Sequence, residues 1–204
     1  MMMLSRKTKL ILAAVLMTVS PVFAEDYWVS TLNTQDAFAG SFNSWFTMAI
    51  NHNGFYAISR YEGLYDISSS LDIKPISGLS SGYQDGGINS ATFSSPQGLA
   101  LDSSGNLYLA DSGNNAIRKV SLAGQVSTIA GNGSAGYDDN TNGTNATFNY
   151  PTAVAVGPSG NLYVADAGNN VIRKIDRSSN VSTLPGSFLA PSGVALDNTG
   201  NVYV

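Results

Sequence analysis

The hydrophobic residues of this chain occur in short runs that are separated by turn-forming residues. Between positions 96 and 130, four such runs cover residues 98–101, 106–110, 116–120 and 125–130. The runs are rich in Val, Ile, Leu and Tyr, which favour β-strands, and the intervening Asp, Asn, Ser and Gly favour turns. The pattern therefore predicts four short strands joined as an antiparallel meander.

The runs differ in how strictly polar and apolar residues alternate. Residues 99–101 and 107–110 are apolar at consecutive positions, which predicts strands buried on both faces, with other sheets stacked on each side. The third run alternates more, because Arg118 and Lys119 enter it. We therefore expect the third strand to lie nearer the outside, with these basic residues at the edge of the sheet.

The same segment returns further along the chain. Residues 96–120 recur as residues 151–175 with 15 of 25 positions identical, and a third copy opens at Pro191. Such self-similarity is typical of repeat architectures, and four-stranded sheets that need neighbours on both sides are the blades of a β-propeller. The chain is therefore predicted to be an all-β propeller of four-stranded antiparallel blades, with about three full blades and part of a fourth. The predicted units are residues 43–80, 94–131, 149–186 and 189–204, the last of them truncated.

A set of recurring residues in the copies has a recognisable pattern, which in the first copy consists of Pro96, Gly98, Ala100, Asp102, Gly105, Asn106, Tyr108, Ala110, Asp111, Gly113, Asn114 and Ile117. This pattern resembles the NHL-repeat family of β-propellers, and two positions of the second copy depart from it, Ala153 and Gly157. The linkers before the first two copies, 82–93 and 136–148, resemble those of teneurin-type and bacterial exported NHL-repeat proteins. The resemblance implies a propeller of about six blades and leaves the activity open, because one fold hosts many functions.

The N-terminal region has the pattern of a secretory leader. Arg6, Lys7 and Lys9 precede an apolar run at 10–19, and small residues lead up to Ala24. This arrangement predicts a signal peptide over residues 1–24, cleaved after Ala24, and hence a secreted or periplasmic protein. The apolar run is too short to span a bilayer, and no transmembrane segment is predicted in the mature chain.

Residues 25–42 are predicted to contribute a closing strand and a linker. Residues 29–32 match the fourth runs of later units at 126–129 and 181–184, yet no first three strands precede them. We expect this strand to complete the last blade and so remove an open sheet edge. The third copy stops at Val204 in mid-strand, which leaves a truncated gene, a partial sequence and a designed fragment as alternatives.

Composition excludes some classes of function. The chain has no cysteine, so disulfides and thiolate metal sites are impossible. The formal net charge is −4, and loss of the three basic residues of the leader would make it −7. Binding to nucleic acid depends on neutralising phosphates with basic residues, so we expect no nucleic-acid partner.

Polar residues that recur in each copy are expected to stabilise the turns of the repeat before any role in binding or catalysis is considered. Asp111 and Asp166 end the second strand of their units, where each is expected to accept hydrogen bonds from the N–H groups of the following turn. The amides Asn114, Asn115, Asn169 and Asn170 tolerate left-handed backbone angles.

Metal and catalytic sites have weaker signals. Asp138, Asn140 and Asn142 match the first half of a calcium-loop pattern, but Asn149 stands where a bidentate Glu is expected. We expect no cofactor, with Ca²⁺ as the alternative at this loop. His52 is the only histidine, and no catalytic constellation is visible.

We predict that binding uses one end of the propeller. Because successive strands run antiparallel, the turns between second and third strands open on the same face as the linkers between units. The predicted ligand is a protein or a small polar molecule or carbohydrate, and the predicted role is an exported, non-enzymatic scaffold. The alternatives are a gluconolactonase-like, metal-dependent hydrolase with active residues in other blades, and a structural module of a larger cell-surface protein. The predicted binding face consists of Tyr83, Asp85, Asp111, Asn115, Tyr137, Asp138, Asp139, Asp166 and Asn170.

Overall fold

The structure, a computed structural model, describes residues 45–51, 54–59, 63–68, 73–77 and 81–204. The predicted signal peptide at 1–24 and the predicted closing strand within 25–42 lie outside the described residues, and both stay predictions. His52 lies outside them as well.

The described strands form successive antiparallel meanders, each in chain order. The first sheet consists of β1 (Trp45–Asn51), β2 (Gly54–Ser59), β3 (Gly63–Ser68) and β4 (Ile73–Ser77). The second consists of β6 (Pro96–Leu101), β7 (Leu107–Asp111), β8 (Ala116–Val120) and β9 (Gln125–Ala130), with the short strand β5 (Gly86–Gly87) added to the outer edge of β9. The third consists of β10 (Pro151–Val156), β11 (Leu162–Asp166), β12 (Val171–Ile175) and β13 (Val181–Thr183), and β14 (Ala195–Leu196) pairs with β15 (Val202–Tyr203). Four-stranded antiparallel sheets therefore follow one another as the repeats predict.

The sheets pack face to face as propeller blades. The first strands β1, β6, β10 and β14 lie side by side, which makes them the inner strands of neighbouring blades. One apolar cluster joins the first and second blades and includes Ile58, Leu64 and Leu109. Another joins the second and third blades and includes Phe148 and Val164. Burial on both faces of β7 and β11 explains their consecutive apolar residues. The predicted β-propeller architecture is confirmed.

Glycine at position 98 allows the inner strands to approach closely. A Cβ atom added at Gly98 would lie 2.6 Å from Ala153 Cα and 2.9 Å from the carbonyl oxygen of Thr152 on β10. Those atoms belong to backbone and cannot rotate away. The second copy has Ala153 at the equivalent position, so the close approach is specific to the β6–β10 pair.

The two ends of the blades carry different connections. On one end lie the linkers 81–95 and 131–150 together with the 3-10 turns Ser112–Asn114 and Ala167–Asn169, and we call this end the linker face. The other end carries the tight turns that join first to second and third to fourth strands, such as 102–106 and 176–180. We call it the short-turn face.

The asparagine after each 3-10 turn fixes the start of the next blade. Asn115 has φ 47° and Asn170 has φ 61°, which confirms the left-handed prediction for these two but not for Asn114 and Asn169. The Asn115 Oδ1 atom accepts a hydrogen bond from the backbone N–H of Tyr150 at 2.9 Å, and Asn170 Oδ1 accepts one from the N–H of Ala190 at 2.8 Å. Each asparagine therefore ties its turn to the residue before the first proline of the next copy, Pro151 or Pro191.

Substitution of Asn115 should separate the contribution of its side-chain hydrogen bond to stability from that of its left-handed backbone conformation. Asn115→Gly keeps the left-handed backbone and loses the hydrogen bond, for an expected loss of about 1 kcal/mol of unfolding free energy. Asn115→Ala also places a Cβ-bearing residue without a compensating polar group in the left-handed region, and should lose about 1 kcal/mol more. Urea unfolding measures the loss of unfolding free energy in each variant. Equal losses in Asn115→Gly and Asn115→Ala would contradict a role for the left-handed backbone.

Candidate functional site

An arginine holds the linker before the blade, and the sequence pattern had predicted this arginine at the edge of the sheet. Arg118 on β8 is fully buried, with 0% of its surface exposed. Its Nη1 atom donates to Asp111 Oδ2 at 2.8 Å, and its Nη2 atom donates to Asp85 Oδ1 at 2.6 Å. Nη1 also donates to the carbonyl oxygen of Thr92, and Nη2 to that of Gln84. The expectation of an edge position was wrong for Arg118, because the linker folds over the side chain and supplies acceptors for it.

The next blade repeats the arrangement with Arg173, which is also fully buried. Arg173 Nη1 donates to Asp166 Oδ2 at 3.0 Å, and Nη2 donates to Asp139 Oδ1 at 2.7 Å. The carbonyl oxygens of Thr147 and Asp138 accept from the same two nitrogens. Two copies with the same geometry show that the arginine is part of the repeat and not an isolated ion pair.

Aromatic rings enclose each guanidinium. The Cζ atom of Arg118 lies 5.1 Å from the ring centroids of both Tyr83 and Phe93. In the next unit, Arg173 Cζ lies 5.4 Å from the ring of Tyr137 and 4.9 Å from that of Phe148. Such distances are within the range of cation–π attraction. We name these two sets the linker clamps: Tyr83, Asp85, Phe93, Asp111 and Arg118 in one unit, and Tyr137, Asp139, Phe148, Asp166 and Arg173 in the next.

The aspartates at the ends of β7 and β11 have other partners than predicted. Neither side chain caps its following 3-10 turn. Asp111 Oδ1 instead accepts from the backbone N–H of Ser94 in the linker, and Oδ2 accepts from the Asn114 side chain as well as from Arg118. Burial raises the pKa of Asp111, while these three donors act in the opposite direction. Both aspartates are fully buried, so they hold the linker from below and do not face a ligand directly.

The outer aspartates connect the linker to the fourth strand. Asp85 Oδ2 accepts from the backbone N–H of Thr128 on β9 at 2.9 Å, and Asp139 Oδ2 accepts from that of Thr183 on β13 at 2.9 Å. The threonine hydroxyls donate to the same carboxylates. The two carboxylates are about half exposed, at 48% and 46% of their side-chain surface, so each can still accept a hydrogen bond from outside.

The linker face thus gathers most of the predicted binding residues, although at different depths. Tyr83 and Tyr137 expose 42% and 52% of their surface while their rings rest on the buried guanidinium groups. The Tyr83 hydroxyl donates to the carbonyl oxygen of Gly131 at 3.0 Å, which anchors one end of that ring. Asn115 and Asn170 lie between blades and already use their side-chain oxygens there.

Sequence reasoning missed one residue of this face. Tyr150 is 47% exposed and occupies the position of Ser95 and Ala190 in the neighbouring copies, immediately before the inner strand. Its hydroxyl accepts a hydrogen bond from Gln97 Nε2 at 2.6 Å. A comparison of the copies for exposed aromatics unique to one unit would have found it.

The candidate calcium loop uses its oxygens locally. Asn140 Oδ1 accepts from the N–H of Asn142, and Asn142 Oδ1 accepts from Thr144. Asp138 Oδ2 accepts from the Thr147 hydroxyl at 3.3 Å. Among the described residues no group of three or more His, Cys, Asp or Glu is placed to hold a metal ion. A Ca²⁺ site at this loop stays a prediction.

The part of the chain that the structure describes contains no helix long and apolar enough to cross a membrane.

Comparison with known proteins gives a consistent family. The NHL repeat family matches residues 93–120 and 148–175, each of which begins at the buried phenylalanine of a linker clamp. The chain is 35% identical over 136 residues to protein SUPPRESSOR OF QUENCHING 1 of Arabidopsis thaliana, covering 56% of this chain and 13% of that protein. It is 37% identical over 107 residues to human NHL repeat-containing protein 2, covering 48% of this chain and 15% of the relative.

Two further similarities agree with this family. Human teneurin-4 is 35% identical over 103 residues, which are 43% of this chain and 4% of teneurin-4. A solved structure from Bacteroides thetaiotaomicron, described as an auxiliary nutrient binding protein, superposes with a TM-score of 0.55 at 20% identity, over 67% of this chain and 36% of that one. This likeness shows the fold alone. The chain spans only a small fraction of the length of the curated relatives it matches.

Two matched repeats, linkers clamped in the same way in both blades, and similarity to an NHL repeat-containing protein agree on one conclusion: this chain contains two NHL repeats, at residues 93–120 and 148–175, on a β-propeller fold.

Proposed function

We propose that this chain is an exported NHL-repeat propeller that serves as a binding scaffold, and that its linker face contacts the ligand. Export follows from the predicted leader at residues 1–24. The proposed ligand is a protein or a polar molecule such as a carbohydrate. The observation that carries the proposal is the presentation of three half-exposed tyrosines, Tyr83, Tyr137 and Tyr150, on one face of a rigid framework.

A rigid face favours binding because its side chains lose their conformational entropy when the protein folds and not when the ligand binds. Buried clamps hold the rings of Tyr83 and Tyr137 on Arg118 and Arg173, and a hydrogen bond to Gln97 orients Tyr150. Tyrosine offers a large contact area with few rotatable bonds, and for this reason it is enriched where proteins bind partners. The exposed area of these rings is therefore already in place for a ligand.

The polar groups around the rings determine the kind of ligand. The half-exposed carboxylates of Asp85 and Asp139 lie beside Tyr83 and Tyr137, and the cations of the clamps are buried beneath them. A face with exposed carboxylates and covered guanidinium groups repels phosphates and accepts hydrogen bonds from hydroxyl, amide or ammonium donors. Hydroxyl-rich or cationic ligands are therefore favoured over nucleic acid.

Sharing a fold with a structure described as a nutrient binding protein is compatible with this proposal and does not by itself support it, since the identity is only 20%. The lactonase-like alternative depends on a metal site, for which the described residues give no cluster of acidic or histidine ligands.

Replacement of exposed side chains one at a time tests the proposal. A photoreactive phenylalanine analogue is placed at position 150 on the linker face, or at position 122 on the short-turn face, where Leu122 is 76% exposed. The exported protein is irradiated in the cell that makes it, and in parallel on an array of oligosaccharides. We expect crosslinked adducts at position 150 and none at 122.

The identified ligand then allows an affinity measurement. Tyr150→Ser restores the residue found at the same position of the preceding copy, Ser95, and should leave the blade intact. We expect it to weaken binding by at least about 1 kcal/mol, or about fivefold, which is the usual threshold for an interface residue. Leu122→Ser is the matched control and should have no effect. Equal effects of the two variants, or adducts at both positions, would overturn the binding-face assignment.

A further inference from the structure

One tight turn of the short-turn face lacks a carboxylate that its counterparts contain. In the second blade, Asp102 closes the turn between the first two strands. Its Oδ1 atom accepts from the backbone N–H groups of Ser104 and Asn106 at 2.9 and 2.8 Å. Its Oδ2 atom accepts from Asn106 Nδ2 at 2.8 Å and from the Tyr108 hydroxyl at 3.1 Å. The turn therefore binds both oxygens of one carboxylate.

The same recognition recurs elsewhere in the described blades. Asp197 accepts from the N–H groups of Thr199 and Asn201 and from the Tyr203 hydroxyl. Asp176, in a turn between third and fourth strands, accepts from the N–H groups of Ser178 and Asn180. Two convergent backbone N–H groups form a concavity that binds anions, and in these three turns an aspartate of the chain itself fills it.

In the third blade the position of Asp102 is Gly157, but the turn keeps its backbone form. The N–H of Gly160 donates to the carbonyl oxygen of Gly157 at 2.8 Å, as the N–H of Gly105 donates to that of Asp102 at 3.0 Å. The positive φ angles of Gly105 and Gly160 are 80° and 79°. The turn from 157 to 161 therefore has the backbone shape that binds a carboxylate in its sister turn.

The donors of this turn have no acceptor within the described part of the chain. The backbone N–H groups of Ser159 and Asn161 and the hydroxyl of Tyr163, which correspond to the donors around Asp102, make no hydrogen bond to a described residue. The Asn161 side-chain amide donates to Ser159 Oγ at 3.0 Å instead. Ser159 is exposed and Asn161 is half-buried, so the turn is open to solvent at Ser159.

A second difference between the blades changes the charge at the same place. In the second blade, the side chain of Leu122 covers the turn, with Cδ2 3.0 Å from a Cβ built on Gly105. In the third blade Arg177 takes the place of Leu122, and its Cδ and Nε atoms lie 3.7 and 3.8 Å from a Cβ built on Gly160. Arg177 is exposed and forms no ion pair with any residue in the described ranges.

The neighbouring charges agree with this change. Lys174 lies opposite Tyr163 in the β11–β12 register, as Lys119 lies opposite Tyr108 in the second blade, and its charge interacts with the carboxylate of Asp176. The carboxylate of Asp176 is close in sequence but is occupied by its own turn. Loss of Asp at 157 and gain of Arg at 177 together convert a turn that contains its own anion into one with a positive environment and free donors.

We propose that the turn 157–161 of the third blade binds the carboxylate group of an external ligand, a small organic acid. The N–H groups of Ser159 and Asn161 and the Tyr163 hydroxyl bind its oxygens, and Arg177 supplies the balancing charge. Position 157 has no side chain, and a Cβ there would meet only side-chain atoms, at 2.9 Å from Tyr163 Cε2 and 3.2 Å from Leu196 Cδ2, so an aspartate at 157 requires these two side chains to shift. The site lies on the short-turn face and does not depend on the function proposed for the linker face.

The test uses acetate as the probe and the backbone amides as reporters. Sodium acetate is titrated into the ¹⁵N-labelled full chain at constant ionic strength, with sodium chloride as the balancing salt. We expect saturable chemical-shift changes at Ser159 and Asn161. The amides of Ser104 and Asn106 are internal controls, because Asp102 already occupies them, and they should not move.

Three variants distinguish a built site from general anion attraction. Arg177→Leu copies Leu122 of the sister turn and should raise the acetate dissociation constant by about threefold, as expected for an exposed charge pair. Gly157→Asp supplies an internal carboxylate and should abolish the shifts. Asp102→Gly combined with Leu122→Arg should create a second responsive pair at Ser104 and Asn106, which gives a gain of binding that misfolding cannot imitate.

Two results would overturn the proposal. One is the absence of saturable shifts at Ser159 and Asn161 in the presence of acetate. The other is an equal response of Ser104 and Asn106 in the unmodified protein, which would mean that the ion acts on all turns of this face alike. The same titration is repeated with sodium sulfate. Stronger binding of sulfate than of acetate would also count against the proposal, because the site would then not be selective for a planar carboxylate.

Discussion

Replacement of Arg118 by alanine is expected to lower the free energy of unfolding by about 3–5 kcal/mol, the cost typical of leaving one partner of a buried ion pair alone. The side chain and its partner Asp111 are both fully buried, and four acceptors from the linker and β7 converge on its two terminal nitrogens. Alanine would leave these acceptors and one buried carboxylate without a donor. Since the entire stability of a domain is commonly about 5–15 kcal/mol, the variant is expected to be close to unfolded at physiological temperature.

The neighbouring residue offers a matched control. Lys119 follows Arg118 on β8 and is only partly buried, with its Nζ atom 5.8 Å from the Tyr108 ring. Lys119→Ala should therefore cost less than about 1 kcal/mol, the upper range for an exposed cation–π contact. Urea unfolding followed by circular dichroism compares the two variants. Similar losses for both would show that the clamp contributes no more than an ordinary surface residue.

A double variant checks the assigned cause. If the loss in Arg118→Ala comes from the unpaired Asp111 carboxylate, then removing that charge should restore part of the stability. Arg118→Met combined with Asp111→Asn is expected to be more stable than Arg118→Met alone, because buried ion pairs can be replaced by neutral groups at low cost whereas single partners cannot. A double variant that is less stable than the single variant would contradict this cause.

Substitution of Gly98 by alanine is expected to cost about 1–3 kcal/mol, as overpacking of a well-filled core does. The added Cβ would meet the Ala153 Cα atom at 2.6 Å and the Thr152 carbonyl oxygen at 2.9 Å. Because both contacts are with backbone, relief requires that the inner strands β6 and β10 move apart. Such movement would also loosen the apolar cluster between these two blades.

The equivalent glycine of the third copy is the control for this prediction. A Cβ added at Gly193 has no described atom within 4 Å. Gly193→Ala is expected to be neutral or to stabilise by up to about 1 kcal/mol, because alanine restricts the unfolded chain. Thermal unfolding of the two variants gives the comparison, and a loss at Gly193 as large as that at Gly98 would exclude a steric cause.

The repeats explain how far the fold could be predicted. Strands β8 and β9 coincide with the predicted runs 116–120 and 125–130, because local alternation and turn residues determine where short strands begin and end. Assignment of the linkers and second-to-third turns to one face needed only the antiparallel order of strands. Tyr83 and Asp85 lie together at Arg118, and Tyr137 and Asp139 lie together at Arg173. That this face binds a ligand stays a prediction.

Placement of the charged residues could not be predicted in the same way. The two-residue alternation of a strand places Arg118 on one face of β8 and Arg173 on the equivalent face of β12. It cannot show whether solvent or a folded-back linker covers that face. Asp85 is 33 residues and Asp111 is 7 residues from Arg118, so their convergence depends on the packing of a whole blade. The prediction that these basic residues lie at the edge of the sheet was therefore wrong for the arginines.

Local pattern, in the end, accounts for the strands, the turns and the repeat, since each depends on interactions between residues close in the chain. Tertiary structure decided which polar groups are free. Asp111 and Asp166 are buried supports, whereas Tyr150 and the N–H groups of Ser159 and Asn161 are available. The physical reason is that hydrogen-bond satisfaction is a property of the complete arrangement of donors and acceptors. Two copies with nearly the same sequence can therefore differ in what they leave open to a ligand.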